Sequence, residues 1–381
     1  MIVHVTVPAR INILGNPTDG NEGDFYTISG AVNIYGGAVI EPADGPSDGL
    51  LFRYVGGPQM GNVRTWAAVK SLDELFDWPY ESCSLFAATL RGLIKFFGPM
   101  RRLLEERPVR ASLWTNVPKQ SGLGGSSVLV LALLNALRAY YDIDCRVLHD
   151  YAMAELAQRI EELEMGVTCG YSDRYVPQLG GIAYIDYRDK LEHRPIGDEP
   201  LATYERLDAF VAPLTFVVGF SGVSRDSGCV HSVMRGRYLE DWRRIQNDGK
   251  ASSTILDRFR AIAETARRGK VCLMRGDIES FGALMNENHT LIDGIMRDCG
   301  FADGAGAPNN LLIEAARSAG ALGAKLSGAG GGGSVLVLPR SGETRRVLDA
   351  VRRAAHDNHM RRAKFFSVRI VRHGPRVRVE D

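Results

Sequence analysis

Several features that mark large protein classes are missing from this chain. Its six cysteines (Cys83, Cys145, Cys169, Cys229, Cys272 and Cys299) stand singly, with no C-x-x-C pair and no cluster of histidines nearby. That argues against a zinc ribbon and a disulfide scaffold and suits a reducing compartment, so a cytoplasmic protein is expected. Long apolar runs are also missing. The longest, Val128 to Leu137, is too short to cross a bilayer, and no membrane partner is expected. The N-terminal "MIVHVTVPARINILG" alternates like a strand and has no charged leader ahead of an apolar core, so it does not read as a signal peptide. No charge of one sign dominates. The formal net charge of +1 gives no case for a polyanionic partner, and no nucleic acid is expected. The arginine-rich "RRVLDAVRRAAHDNHMRRAKFF" is explained by a helix with a solvated basic face. Neither G-x-x-x-x-G-K-[ST] nor a G-x-G-x-x-G after the first strand occurs, which sets aside the Walker loop and the Rossmann fingerprint.

What is present is the composition of a soluble globular protein, 45% hydrophobic and 24% charged, in 381 residues. That length exceeds the usual single core and predicts two domains. A polar, proline-containing stretch followed by a new apolar strand in "ERLDAFVAPLTFVVGFSG" places the boundary at about Ala202 to Leu214, giving domains 1–205 and 206–381. The first half reads as a strand, a Gly/Asn/Asp-rich turn, further strands, a mostly helical stretch from Leu72 to Leu104, and a strand "VRASLWTNVP". An apolar helix follows, then an amphipathic one from Val147 to Glu164, a loop or short helix "CGYSDRYVPQLGG", and a strand "IAYIDYR". The second half reads as four helices (Val230 to Asn247, Ser253 to Arg268, Ile278 to Gly294, Asn309 to Ala319), a glycine loop, and strand, helix, strand to Val371. This is an α+β layer on one sheet.

Four stretches carry chemistry. In "NVPKQSGLGGSSVLVLALLNAL" glycines and serines stand directly before an apolar helix. A helix start offers unpaired N–H groups and the positive end of its dipole, and glycines let an anion approach that backbone. Ser126 and Ser127 can cap the helix or hold a metal carried by a phosphate. The second stretch, "KLSGAGGGGSVLVLP", spends five glycines among six residues, which is costly in backbone entropy for a mere turn and suits a backbone passing close to a ligand. The third, "PARINILGNPTDGNEGDF", sends Arg10 out of a strand and sets Asp19 in a turn, where an Asx-turn role competes with ligand binding. In the fourth, "IEELEMGVTCGYSDRYVPQLGG", Asp173 stands beside Arg174, while Glu161, Glu162 and Glu164 have the pattern of a solvated helix face.

In this order the four stretches resemble the GHMP kinases, the superfamily of galactokinase, homoserine, mevalonate and phosphomevalonate kinases. The most specific match is P-x-x-x-G-L-G-x-S-S at Pro118, Gly122, Leu123, Gly124, Ser126 and Ser127. Within the superfamily the chain is similar to the glucuronokinase-like sugar-1-kinase branch, on "LGNPTD", "GYSDRYVPQLGG" and "DSGCVHSVMRGRY". One departure is Cys229, where that branch has lysine, and Arg225 lies just upstream.

The resemblance implies a two-domain α+β fold. Its N-terminal α/β domain would be ribosomal-protein-like, its C-terminal α+β domain ferredoxin-like, and the active site would lie in the cleft between them. It implies ATP and Mg²⁺ as cofactors and a small-molecule sugar as substrate, phosphorylated at the anomeric hydroxyl of a sugar or uronic acid. A heptose-phosphate kinase or another small-molecule kinase of the superfamily is the alternative enzyme, and a nucleotide- or sugar-binding sensor the non-enzymatic one. A homodimer is left open. By position in the motifs, Ser121 to Ser127 (with Gly125) and Pro118 would wrap the phosphates, and Ser126 with Glu161 would hold the metal, Glu162 being the fallback. Asp173 would be the general base, and Arg10 would offset charge on the moving phosphoryl. Asp19, Arg225, Gly328, Gly330 and Gly331 would line the substrate side.

Overall fold

The computed structural model describes the chain except residues 22, 24, 44–48, 57–63, 78–83, 119–120, 189, 191–195, 197–200, 224–226, 249–251, 329 and 331–332. Arg225 and Gly331 therefore lie outside the described residues. Among the described residues two sheets organise the molecule.

The strands β1 (Ile2–Leu14), β2 (Tyr26–Pro42), β3 (Leu50–Gly56), β4 (Arg64–Val69), β5 (Val109–Thr115), β6 (Ile182–Asp186) and β7 (Thr203–Arg206) build the first sheet. The pairing of β3 with β5 is parallel, and the other pairings are antiparallel. The four strands β8 (Thr215–Phe220), β9 (Gly323–Ser327), β10 (Ser334–Leu338) and β11 (Lys364–Arg369) form a second, antiparallel sheet in the order β11-β8-β10-β9. The last strand, β12 (Arg376–Glu380), returns to the first sheet and pairs with β1, Val5 opposite Val377. No periodicity in the last residues distinguishes a strand of the near sheet from one of the far sheet, so this return is a purely tertiary result.

The helices are α1 (Leu72–Asp77), α2 (Ser84–Phe96), α3 (Met100–Glu106), α4 (Gly125–Tyr140), α5 (Asp150–Arg159) and α6 (Ser172–Leu179) in the first half. In the second half they are α7 (Ser227–Asn247), α8 (Thr254–Arg275), α9 (Ile278–Asp298), α10 (Ala307–Ser318) and α11 (Thr344–Asp357). The apolar run behind the glycine–serine loop makes α4 the central core helix, buried on nearly every face and packed on β1 and β2. By contrast α11 buries Val347, Val351 and Ala355 at a spacing of four and leaves its arginines in water, the amphipathic pattern that its basic stretch predicts.

Two irregularities of β1 position the site. Its register against β2 shifts between Pro8 and Ala9 and again between Asn12 and Leu14, on either side of Arg10 and Asn12. Such irregularities re-aim side chains that regular alternation would bury in the sheet.

Candidate active site

A cleft of about 950 Å³ opens where the two glycine stretches meet. Its apolar lining includes Tyr54, Leu85, Val117, Leu129 and Met165. Its polar lining includes Arg10, Asn12, Asp173, Ser126, Ser127 and Glu161, and Phe220, Gly328 and Lys364 line it from the second half.

The loop into α4 enters the helix through Gly124, whose φ of 75° is left-handed and which carries no side-chain cap. The first-turn N–H groups of Gly125, Ser126 and Ser127 are thus not capped by a preceding side chain, as an anion site requires. Gly122, with φ of 69°, touches the other glycine stretch: a β-carbon there would stand 2.6 Å from the Ser327 carbonyl oxygen. Gly328 answers it, since its own β-carbon would meet the Gly122 Cα at 3.0 Å. Two loops about two hundred residues apart thus pass backbone to backbone because neither has a side chain to hold them apart. Gly330 behaves differently. A β-carbon on it would point at Met296 and Leu326, so its smallness serves packing behind the loop. Leu123 is buried, while Pro118 and Ser121 line the cleft.

Arg10 is 3% exposed and forks onto Asp173: Nε donates to Oδ1 at 2.6 Å and Nη2 to Oδ2. Its Nη1 donates to the Gly122 carbonyl, which links the first strand to the phosphate-type loop. Asn12 Nδ2 donates to Asp173 Oδ1 at 3.3 Å. Burial alone would push the Asp173 carboxyl up. The charges of Arg10 and Arg174 and the hydrogen bonds from Arg10 and Asn12 outweigh it and hold the group well below the usual carboxylate range. Asp173 is therefore ionised throughout the physiological range.

Arg174 turns away from its neighbour. It is 2% exposed, donates through Nε to Glu161 Oε2 at 2.6 Å and through Nη1 to the Gly170 carbonyl at 2.7 Å. Glu161 also accepts from both serine hydroxyls of the α4 start, Ser126 at Oε1 and Ser127 at Oε2 (2.7 Å). The solvated-face pattern of the glutamates is overturned here. Residues Ile160–Glu164 form a π-helical turn, which advances each side chain less than an α-helix does. Glu161 and Glu164 are buried in consequence, Glu164 against Arg91 at 3.1 Å, while Leu163 is the exposed member. Glu162 points elsewhere, to Gln158 and to Arg235 at 3.4 Å on α7.

Asp19 is buried and already committed. Its Oδ2 accepts from the backbone N–H groups of Tyr171 and Ser172, both at 2.9 Å, and from the Ser172 hydroxyl at 2.8 Å; Oδ1 accepts from Asn16. It thus caps the start of α6 from a distant turn and fixes the segment that carries Asp173. A β-carbon at Gly170 would collide with that carboxylate, so the glycine beside it is required. Asp19→Ala is expected to strand these donors and cost about 1–3 kcal/mol, read as a lower Tm, and to raise the acceptor KM more than the ATP KM. An unchanged Tm with a raised acceptor KM would assign Asp19 to the acceptor alone. Nothing in the turn sequence signals this cap, because its partner lies about 150 residues away. His231 on α7 also faces the cleft, its pKa lowered first by burial; it stands in the "DSGCVHSVMRGRY" stretch, where the sequence alone assigned it no role.

The donor set suits a hard cation that brings its own oxygens: one carboxylate and two hydroxyls at a helix start, with the remaining ligands left to phosphates and water. No group of three or more acidic, histidine or cysteine side chains capable of holding a metal alone occurs among the described residues.

Two lobes that bring glycine loops to one cleft define a small-molecule kinase fold. Comparison with known proteins agrees. The N-terminal domain model of the GHMP kinases matches residues 84–181 and their C-terminal domain model residues 270–357. The chain belongs to the GHMP kinases. It is similar to a probable glucuronokinase 2 of Arabidopsis thaliana, 28% identical over 341 residues, covering 85% of this chain and 81% of that protein. In fold it resembles Lactococcus lactis galactokinase complexed with galactose, with a TM-score of 0.71 at 17% identity over 98% of this chain and 95% of that one. It also resembles a D-glycero-D-manno-heptose 1-phosphate kinase from Bacteriodes thetaiotaomicron, with a TM-score of 0.64 at 16% identity over 100% and 99% of the two chains. No helix among the described residues is long and apolar enough to cross a membrane.

Proposed function

We propose that the protein transfers the γ-phosphoryl group of ATP to a sugar hydroxyl, the anomeric hydroxyl of a uronic acid or related sugar. The observation that carries this reading is the Asp173 carboxylate, held ionised by Arg10 in the cleft where the α4 start and the Gly328 loop meet. The similarity to a plant glucuronokinase over most of both chains supports the acceptor class.

Phosphoryl transfer of this kind is mainly positioning and charge stabilisation. The first-turn N–H groups of α4, with its dipole, would bind the phosphate chain, and the apolar side chains of Tyr54, Leu85 and Met165 in the cleft lining suit the base of the nucleotide. Ser126 and Glu161 would hold Mg²⁺ with the phosphates, with Ser127 supporting; the ion supplies charge neutralisation on the phosphoryl oxygens. Asp173 would orient the acceptor hydroxyl and take its proton, and Arg10 would meet the developing charge. When phosphate draws on Arg10, Asp173 loses part of the charge that depresses its pKa and becomes a stronger base.

Saturating Mg-ATP is expected to raise the Tm, since a ligand bound to the native state at one hundred times its Kd contributes about 2.7 kcal/mol. An ADP-release screen over glucuronate, galacturonate, galactose, arabinose, heptose phosphate, mevalonate and inositols identifies the acceptor. Ser126→Ala is expected to weaken the Mg²⁺ dependence of turnover more than acceptor binding. A Tm unmoved by saturating Mg-ATP rejects the reading.

A further inference from the structure

Between the two halves lies a lysine that the chemistry above does not use. Lys325, on β9, is 2% exposed. Its Nζ donates to the backbone carbonyl of Asn12 on β1 at 3.3 Å and to that of Leu326 at 2.7 Å. No acid pairs with it among the described residues. The same end of β1 is held a second time by Asn288 of α9, fully buried, which accepts from Gly15 N–H at 3.0 Å and donates to the Asn16 carbonyl at 3.4 Å. Asn288 does this without charge. Stability alone would favour an uncharged side chain at Lys325 too, because a buried ammonium without a counter-ion is costly.

The place of that charge matters. Lys325 is two residues ahead of Ser327, whose carbonyl touches Gly122, and it binds the strand two residues beyond Arg10. We propose that Lys325 is a positioning residue for phosphoryl transfer, a buried cation that ties the strand of Arg10 and Asn12 to the second glycine loop and backs the phosphate site with positive charge. This rests on the kinase reading above.

The surroundings explain how such a cation responds to ligand. Burial first, and the charge of Arg10 second, lower its pKa to about 7. The other titratable group facing it, His289 on α9, is pushed down to about 4 by burial and by Arg317, so it is neutral where Lys325 titrates. A triphosphate in the cleft favours the ammonium form. Nucleotide binding above pH 7 should therefore take up protons at Lys325.

The test uses the full chain and Lys325→Met, with a non-hydrolysable ATP analogue and Mg²⁺. Titration calorimetry at pH 8 in two buffers of different ionisation enthalpy should show proton uptake by the wild type, reduced or absent in the variant. The kcat/KM for ATP should fall in the wild type as pH rises above about 7. In Lys325→Met it should be about tenfold lower at pH 6.5 and lack that limb. The Tm of the variant should equal or exceed the wild type at pH 6 to 7. A lysine whose pKa is lowered on folding destabilises the fold while it is charged, and the penalty fades as pH climbs towards the unfolded value. If Lys325→Met does not fold, Lys325→Gln carries the same measurements. Equal proton uptake and an unchanged alkaline limb would overturn the assignment while leaving the kinase reading intact. If the wild type neither binds the analogue nor turns over ATP, the kinase reading fails and this one with it.

Discussion

Asp173→Asn is expected to lower kcat per folded molecule by about 10²–10⁴, the usual contribution of a positioned general base. The amide keeps the shape and some hydrogen bonding but cannot take the acceptor's proton. It also removes one of the two acceptors of the fork and the charge opposite Arg10, which is 3% exposed and keeps the amide oxygen and the Gly122 carbonyl. Because of that pairing the Tm should fall as well, although Asp173 is 24% exposed and the loss is smaller than for a fully buried pair. Loss of the fold and loss of chemistry are therefore separated by counting folded molecules. Turnover per folded molecule close to wild type would make Asp173 a structural partner of Arg10 and no base. The pH profile gives a second check. The pKa of Asp173 lies well below its ordinary value, so it should contribute no acidic limb in the free enzyme between pH 5 and 8.

Glu161→Ala should produce the largest loss of stability. It leaves the Arg174 guanidinium, 2% exposed, with the Gly170 carbonyl and with Asp173 only at 4.0 Å. Breaking a buried ion pair from one side costs about 3–5 kcal/mol, about 4–6 °C in Tm for a chain of this size. It also removes the acceptor of both serine hydroxyls at the α4 start, so activity should fall in parallel. The double variant Glu161→Ala with Arg174→Met tells the two losses apart. It removes the stranded charge and should regain much of the Tm while activity stays low. Recovery of both would reduce Glu161 to a counter-ion for Arg174.

Much of this was legible in the sequence because it is local. The run from Val128 to Leu137 specifies a buried helix wherever it is placed, and glycine at position 124 opens that helix in a conformation few other residues adopt. The division into helices and strands of the second half follows from periodicity in the same way. Where the sequence misled, a non-local partner or a change of helical pitch was responsible. The glutamates after α5 have the spacing of a wet face, and only the π-turn takes Glu161 and Glu164 inside. Gly330 belongs to a glycine run that suits ligand contact, yet Met296 and Leu326 account for its missing side chain.

By itself, then, the sequence determined the anion-suited helix start, the glycine loops, the family and the kinds of residue available for chemistry. Those depend on near neighbours, whose geometry the backbone dictates over a few residues. Only the tertiary structure decided that Arg10 meets Asp173, that Arg174 passes its own neighbour for Glu161, and that Asp19 caps a helix rather than standing free. It also decided that Lys325 of the far sheet holds the strand of Arg10. Each of these is a pairing of charge or hydrogen bond between segments far apart in the chain. A buried polar group must find a partner, and which one it finds depends on the packing of the sheets and helices around it.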